Sequence, residues 1–458
     1  MNNQKTNEIT TGVIWKQILI FFFPILLGAF FQTLYNTVDA SVVGKFAGEE
    51  ALASVGGSSG QILNFVFSFF MGLATGATVI IAQYFGAEDA KSLDDALHTA
   101  YTAAVAGGLI LSVAGVLFCR PFLQLLDTPD TLMDSSAAYV RVLMAGLVFT
   151  LIYNIGSGIL RAIGDSKRPL YILIACCGMN IVLDLFFVVV LKAGVLGAAI
   201  ATDISQASSA SIVTWILMKK TNGMKLSFRK LHIRAATLGK ILKIGLPTAI
   251  AGSMFSVSNM IVQTAINHMG VSTMAAWTAY GRIDALWWMI NQAFSVSVTT
   301  FVGQNFGAML PDRVRKAVRE VLVMEIAAGI AMGALFIFEA PLLLRLFTSN
   351  EEVIGLGVQI SLYMAPFYWI FAVSEILSAT LRAENYVMVS TVANLLGVFV
   401  YRIVWIKWIV PDGTLRQVLS CYPISWVLIS AFVAVYYLYR QPKITRRMKQ
   451  IEKNNEAV

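Results

Sequence analysis

Charge is what this sequence has least of. Asp, Glu, Lys and Arg make up 13% of its 458 residues, against 57% hydrophobic residues and a mean hydropathy of +0.71. Soluble globular chains carry about 25% charged residues, so the three or so soluble domains that length alone suggests are excluded. Cysteine is scarce as well. Cys176 and Cys177 are adjacent inside an apolar run, and Cys119 and Cys421 lie at or in hydrophobic segments, which excludes a disulfide framework. The three histidines, His98, His232 and His268, each fall near the end of an apolar run and do not cluster. No Walker loop, H-E-x-x-H, Cys/His metal spacing or G-x-S-x-G is present, so neither an enzyme nor an ATP-driven pump is expected. No cofactor is implied, and any uphill work has to draw on an ion gradient.

What is present is a series of long apolar runs, at about 15–43, 52–84, 97–119, 137–159, 169–191, 195–218, 241–266, 273–303, 320–343, 353–379, 386–410 and 415–439. A span needs roughly 20 apolar residues, so these predict an all-α integral membrane protein with twelve transmembrane helices. The polar start MNNQKTNEITTGVIWKQ leads into a run without an A-x-A cleavage pattern and reads as a retained first span. An even number of spans puts both termini on one side. Placing the tails and the even-numbered loops together collects 25 of the 34 basic residues, while the opposite side holds six: Lys45, Arg120, Lys192, Arg345, Lys407 and Arg416. Positive charge stays inside, so both termini are expected in the cytoplasm. The excess charge of +8 sits in the stretch 219–243 and in the tail. Anionic lipid headgroups account for it, with no nucleic-acid partner.

The chain also resembles itself. Pro24 answers to Pro247, QYFGA at 83–87 to QNFGA at 304–308, the stretch after Cys119 to that around Pro341, and LRA at 160–162 to LRA at 381–383, at offsets of about 221. Two six-helix halves of like orientation follow, related by an axis along the membrane normal. Their expected limits are an N-lobe at 1–218, a basic cytoplasmic linker at 219–240, a C-lobe at 241–440 and a basic tail at 441–458. Halves on a flexible hinge can rock around a central cavity, which is how alternating access is commonly produced.

These two QxFGA motifs, Leu-Arg-Ala-Ile-Gly-Asp at 160–165, the first-span stretch QTLYNTVD from Gln32 to Asp39, and the pair Asn180 and Asp184 resemble the multidrug and toxic compound extrusion (MATE) family over about residues 13–440. The resemblance implies a V-shaped, two-lobed antiporter of a bacterial plasma membrane. Such a protein exports lipophilic, mostly cationic small molecules in exchange for protons or sodium ions, and is expected to act as a monomer among membrane lipids. In that family the N-lobe cation-coupling site matches Asp39, Asn180, Asp184 and Thr202 here. A glutamate that one branch carries in the seventh span is missing, because that span reads PTAIAGSMFSVSNMIVQTAIN.

Ionisable residues inside spans are costly and mark function by default. The acids are Asp39, Asp184, Asp203, Asp284 and Glu375, and the bases Arg141, Arg282 and Arg402. At 1.5 Å per residue, Asp39, Asp184 and Thr202 come out at similar depths of roughly 10–12 Å below the outer surface. Asn180 shares a helical face with Asp184, and Tyr35 with Asp39. Two carboxylates in one poorly solvated pocket titrate as a coupled unit, and carboxylate, amide and hydroxyl oxygens also suit a sodium ion. This assigns Tyr35, Asp39, Asn180, Asp184 and Thr202 to coupling. For the cargo the candidates are Glu375, its repeat-related counterpart Asn154 facing it across an inner cavity, Asp284 with Trp288 and Met289 beside it, and Gln32. Glu375 has a competing assignment as a partner of Arg382 or Arg402. A flippase for lipid-linked sugars would favour an arginine-rich cavity, and a receptor without transport would need neither the acids nor the duplication.

Overall fold

The computed structural model describes residues 7–126, 128–219 and 224–456, and no β-strand occurs among them. In chain order the helices are α1 (Glu8–Thr11), α2 (Ile14–Phe46), α3 (Glu49–Gly56), α4 (Ser58–Gly86), α5 (Ala90–Leu125), α6 (Asp130–Ala145), α7 (Leu147–Ala162), α8 (Lys167–Asp184), α9 (Gly194–Met218) and α10 (Ala235–Asn267). Then come α11 (Val271–Gly307), α12 (Pro311–Phe338), α13 (Ala340–Arg345), α14 (Glu351–Met364), α15 (Tyr368–Ala383), α16 (Val387–Asn394), α17 (Tyr401–Val404), α18 (Leu415–Leu419) and α19 (Cys421–Glu456). Without water to satisfy the backbone, helices are the economical way for so apolar a chain to cross a bilayer.

Nine helices among the described residues are long and apolar enough to span, and α6 with α7, bent by 46°, make a tenth. The remaining two of the twelve are α9 and α11. Both fall short on apolarity because they carry serines and threonines, with Asp203 in α9 and Arg282 and Asp284 in α11.

The repeat is visible in the backbone. The two QxFGA motifs end α4 and α11, and each is followed by a residue in the left-handed region, Glu88 at φ 55° and Met309 at φ 58°. The two LRA motifs end α7 and α15 in the same manner, with Gly164 at φ 89° and Asn385 at φ 69°. Each chain reversal is closed by a pair of backbone bonds, Gly164 N–H to the Arg161 carbonyl at 2.9 Å and Asn385 N–H to the Arg382 carbonyl at 3.2 Å being one from each half. Glycine and asparagine are the residues that tolerate this conformation at a helix end.

The helices form two compact units, Phe23–Ala249 on the one hand and residues 7–22 with 250–456 on the other. Each divided helix changes unit next to a repeat-related proline, Pro24 in α2 and Pro247 in α10, where a helix backbone bond is missing. In the first unit, Gly72 and Gly76 of α4 let the start of α10 come within backbone contact. A Cβ on Gly76 would fall 2.3 Å from the Ile241 carbonyl oxygen, and one on Gly72 2.3 Å from Ala249 Cα. The described part of the basic linker is tied to the head of α5. Lys230 reaches Asp94 at 3.4 Å, His232 reaches Asp95 at 3.3 Å, and Arg234 pairs with Asp95. His98 Nε2 accepts from the Ser227 N–H at 3.1 Å. Linker residues 220–223 lie outside the described residues.

In the second unit, Phe22 stacks on Phe294 with ring centroids 4.2 Å apart. The short α1 is held by Arg313, whose Nη2 donates to the Ile9 and Gly12 carbonyls at 3.0 and 2.9 Å, and by Gln304, which accepts from Asn7 at 2.9 Å.

Just past α15, outside the spans, Glu384 is 2% exposed and accepts one hydrogen bond from Gln441 Nε2 at 2.7 Å, while its other oxygen has no partner. Burial pushes this carboxyl from 4.5 up to about 7, with the Gln441 bond acting in the opposite sense. The folded state therefore holds the proton more tightly than the unfolded chain, and stability falls as pH rises from about 4.5 to about 7. Glu384→Gln keeps an acceptor for Gln441. It should stabilise the protein by up to about 3 kcal/mol at pH 8 and by little at pH 4, read from melting temperatures. The same pH dependence in both proteins would refute this.

Candidate functional site

The first unit gathers its polar side chains from four spans. Tyr35 and Asp39 come from α2, Tyr139 from α6, Asn180 and Asp184 from α8, and Thr202 from α9. Asp184 is the last residue of α8 before the helix widens into a π turn over Leu185–Val190, a local irregularity that is common at functional sites. The Tyr35 hydroxyl donates to Thr202 Oγ1 at 3.0 Å. Asp39 is 8% exposed and Asn180 and Asp184 are fully buried. The Asp39 and Asp184 carboxyl groups interact with each other, and both act on the Tyr35 and Tyr139 hydroxyls. The five residues assigned to coupling thus lie in one cluster, and Tyr139 joins it.

No Lys, Arg or His pairs with this cluster among the described residues. Asp39 Oδ1, both Asp184 oxygens and both polar atoms of the Asn180 amide are buried without a hydrogen-bond partner. Two adjacent carboxylates cannot stay ionised in such a place without a compensating cation. The atoms on offer are oxygens, the donor set for a proton or a hard monovalent cation. No group of three or more His, Cys, Asp or Glu side chains suited to a metal ion occurs among the described residues. The second unit has no copy of the cluster. At the repeat-related positions it places Val262, Tyr401, Trp405 and Pro423 where the first unit has Asp39, Asn180, Asp184 and Thr202.

Asp203, next to Thr202 on α9, acts on the Tyr139 hydroxyl as Asp39 and Asp184 do. It lies against the bend between α6 and α7, where a Cβ on Gly146 would fall 2.0 Å from its Oδ1, so this carboxyl occupies room that only glycine leaves. Gln32, two turns before Asp39 on α2, is half-buried and makes no hydrogen bond among the described residues.

In the second unit Asp284 is enclosed by aromatic donors. Trp288 Nε1 donates to Oδ2 at 2.7 Å, the Tyr368 hydroxyl donates to Oδ1, and the Tyr280 and Tyr368 hydroxyls are 2.7 Å apart. Trp288 also meets Phe371 edge-on at 4.9 Å, whereas Met289 is buried and Trp287 is wholly buried, stacked on Tyr368. Arg282, two residues before Asp284, is exposed and forms no ion pair with it.

Glu375 pairs with Arg382. Arg382 Nη2 donates to Glu375 Oε1 at 2.8 Å, and Ser295 Oγ donates to the same oxygen at 2.6 Å. The Asn154 amide, at the related position of the first unit, donates to the Thr150 carbonyl at 2.9 Å. Of the three basic residues placed inside spans, Arg141 and Arg282 are exposed. Arg402 is fully buried, bonded to Asn259 at 3.0 Å and lying over the Tyr422 ring.

Sequence reasoning missed Glu325. It is fully buried in α12, accepts from Asn291 Nδ2 at 2.6 Å, and acts on Glu375. Its place five residues into an apolar run, directly after Arg319 and Glu320, made it look like part of the charged helix head.

Comparison with known proteins agrees with this architecture. The family model described as MatE matches residues 24–186 and again 247–406. The chain is similar to the probable multidrug resistance protein YoeA of Bacillus subtilis, 26% identical over 96% of this chain and 97% of the relative. It is also similar to the probable multidrug resistance protein YpnP of the same organism, 27% identical over 87% and 89%. A solved MOP superfamily transporter from Pyrococcus furiosus superposes with a TM-score of 0.89 at 23% identity, over 97% of this chain and 99% of that one. With the family model matching both halves of a duplicated, multi-pass helical chain, the protein belongs to the MatE family of membrane transporters.

Proposed function

We propose that this protein is a multidrug efflux antiporter that carries lipophilic, mostly cationic compounds out of the cell, with both termini on the cytoplasmic side. The names of its relatives support multidrug export, and the ion-coupled mechanism rests on one observation. Asp39 and Asp184 face each other in the first unit, buried, with three carboxylate oxygens and the whole Asn180 amide unpartnered. Such a pair binds a small cation, either a proton or sodium, and releases it when a cationic cargo or a change of access alters its surroundings. Tyr35, Tyr139 and Thr202 shape the pocket, and the aromatic enclosure of Asp284 gives the second unit a negative group with flat apolar walls for cargo.

The test is efflux of ethidium from proteoliposomes under a proton gradient without sodium, then under a sodium gradient without a pH difference. One of the two should drive concentration of the dye. If neither does, the antiport reading fails.

A further inference from the structure

Small residues crowd the junction of α3 and α4, which reads Ala53-Ser54-Val55-Gly56-Gly57-Ser58, and the chain enters α6 through Thr128 and Pro129. Side chains this short leave space. A cavity of about 410 Å³ lies between the two stretches, lined by Gly56, Gly57 and Ser58 on one side and by Thr128, Leu132 and Ser136 on the other. Its mouth is open, since Gly56, Gly57 and Pro129 are exposed. Its inner end is buried, where Ser136 Oγ donates to the Ser54 carbonyl at 3.3 Å. One water needs roughly 10–15 Å³ of such space, so the cavity has room for several. Beside Ser58, Ser59 is wholly buried and its hydroxyl has no hydrogen-bond partner among the described residues.

The cavity runs toward the acidic cluster of the first unit. Leu132, Ser136 and Tyr139 stand at i, i+4 and i+7 on α6, hence along one face of the helix. The first two line the cavity, and Tyr139, one turn or ~4.5 Å farther along, is the residue on whose hydroxyl Asp39 and Asp184 act. Val55 of α3 packs against the apolar cluster that includes Tyr139, so apolar side chains close the last turn. Constrictions of this kind gate small ions by excluding water. No Lys or Arg lines the cavity among the described residues, and hydroxyl and carbonyl oxygens are suitable company for a proton-carrying water or a hard cation.

We propose that this cavity is the outer vestibule through which the coupling ion reaches the Asp39–Asp184 cluster, by a route inside the first unit that the cargo does not share. The proposal rests on the antiport reading and on its orientation, which puts the head of α6 on the outer face.

Gly56→Cys places one thiol in the mouth. Nothing lies within 4 Å of a Cβ at that position, and the four native cysteines are buried. The thiol should react with the impermeant cationic reagent MTSET added outside intact cells. Protein modified in detergent and then reconstituted carries a fixed positive charge in the path, an electrostatic barrier to a cation. Gradient-driven efflux of ethidium should fall at least ~5-fold and recover with dithiothreitol, while exchange of ethidium across liposomes without any ion gradient changes less than ~2-fold. Wild-type protein treated alike should keep its rate, and retained exchange shows that the modified variant is folded. Undiminished driven efflux after full modification would overturn the vestibule. So would an equal loss of exchange, which makes the cavity part of the cargo path, and reaction of the thiol from the cytoplasmic side alone, which turns the cavity inward. If unmodified wild-type protein concentrates dye under neither a proton nor a sodium gradient, the antiport reading has failed before any reagent is added, and the path has no ion to carry.

Discussion

Asp184→Asn should reduce gradient-driven efflux of ethidium to the level of protein-free liposomes, while binding of the dye without a gradient stays within about threefold of wild type. The substitution keeps the size and shape of the side chain, so the packing of α8 and the π turn after it are not disturbed. It removes the one anionic group that faces Asp39 in the buried cluster. Asn180 and Thr202 beside it are neutral, and the second unit has Tyr401 and Trp405 at the related positions. An interaction needed to couple two binding events is lost outright when one site disappears, whereas affinity for the other ligand changes only by the coupling free energy. Concentration of dye against its gradient at the wild-type rate would remove Asp184 from the coupling unit.

Gly76→Ala should destabilise the protein by roughly 3 kcal/mol or more, although one methyl group is all it adds. The added Cβ would lie 2.3 Å from the Ile241 carbonyl oxygen, 2.7 Å from Gly245 N and 2.8 Å from Gly245 Cα. All three are backbone atoms of α10 and cannot rotate away, so α4 and α10 must separate along their contact. Close backbone approach through small residues is what holds helices together where lipid removes the hydrophobic drive. Gly107→Ala in α5 is the matched control. Nothing lies within 4 Å of its would-be Cβ, and the change should be neutral or stabilising by up to about 1 kcal/mol through helix propensity. Melting temperatures in detergent decide, and equal shifts for the two variants would show that the crossing is not tight.

The span count was legible because membrane insertion makes hydrophobicity the dominant signal, and the duplication because four short motifs stand in order at one offset. The Asp39–Asp184 pairing followed from helical rise and the i, i+4 placement of Asn180, since rigid helices convert sequence distance into depth. Other features depend on tertiary contacts that no local pattern encodes. The exchange of leading segments between the units depends on which bundle the start of α2 or α10 packs against, and Pro24 and Pro247 announce a break without naming the neighbour. Glu325 was hidden by the charged residues just before it. The seven-residue spacing offers Arg382 as a partner for Glu375, but the participation of Ser295 depends on where α11 packs. The π turn that follows Asp184 has no sequence signature in LFFVVV.

Ion release on cargo binding tests most directly whether the Asp39–Asp184 pair holds the ion that the cargo displaces. Purified protein in weak buffer is titrated with ethidium while pyranine reports protons and an ion-selective electrode reports sodium. The wild-type protein should release about one of the two ions per dye bound, and Asp184→Asn should bind dye and release none. Equal release from both proteins, or loss of release in Glu375→Gln with Asp184→Asn unaffected, would contradict the assignment and place the ion elsewhere.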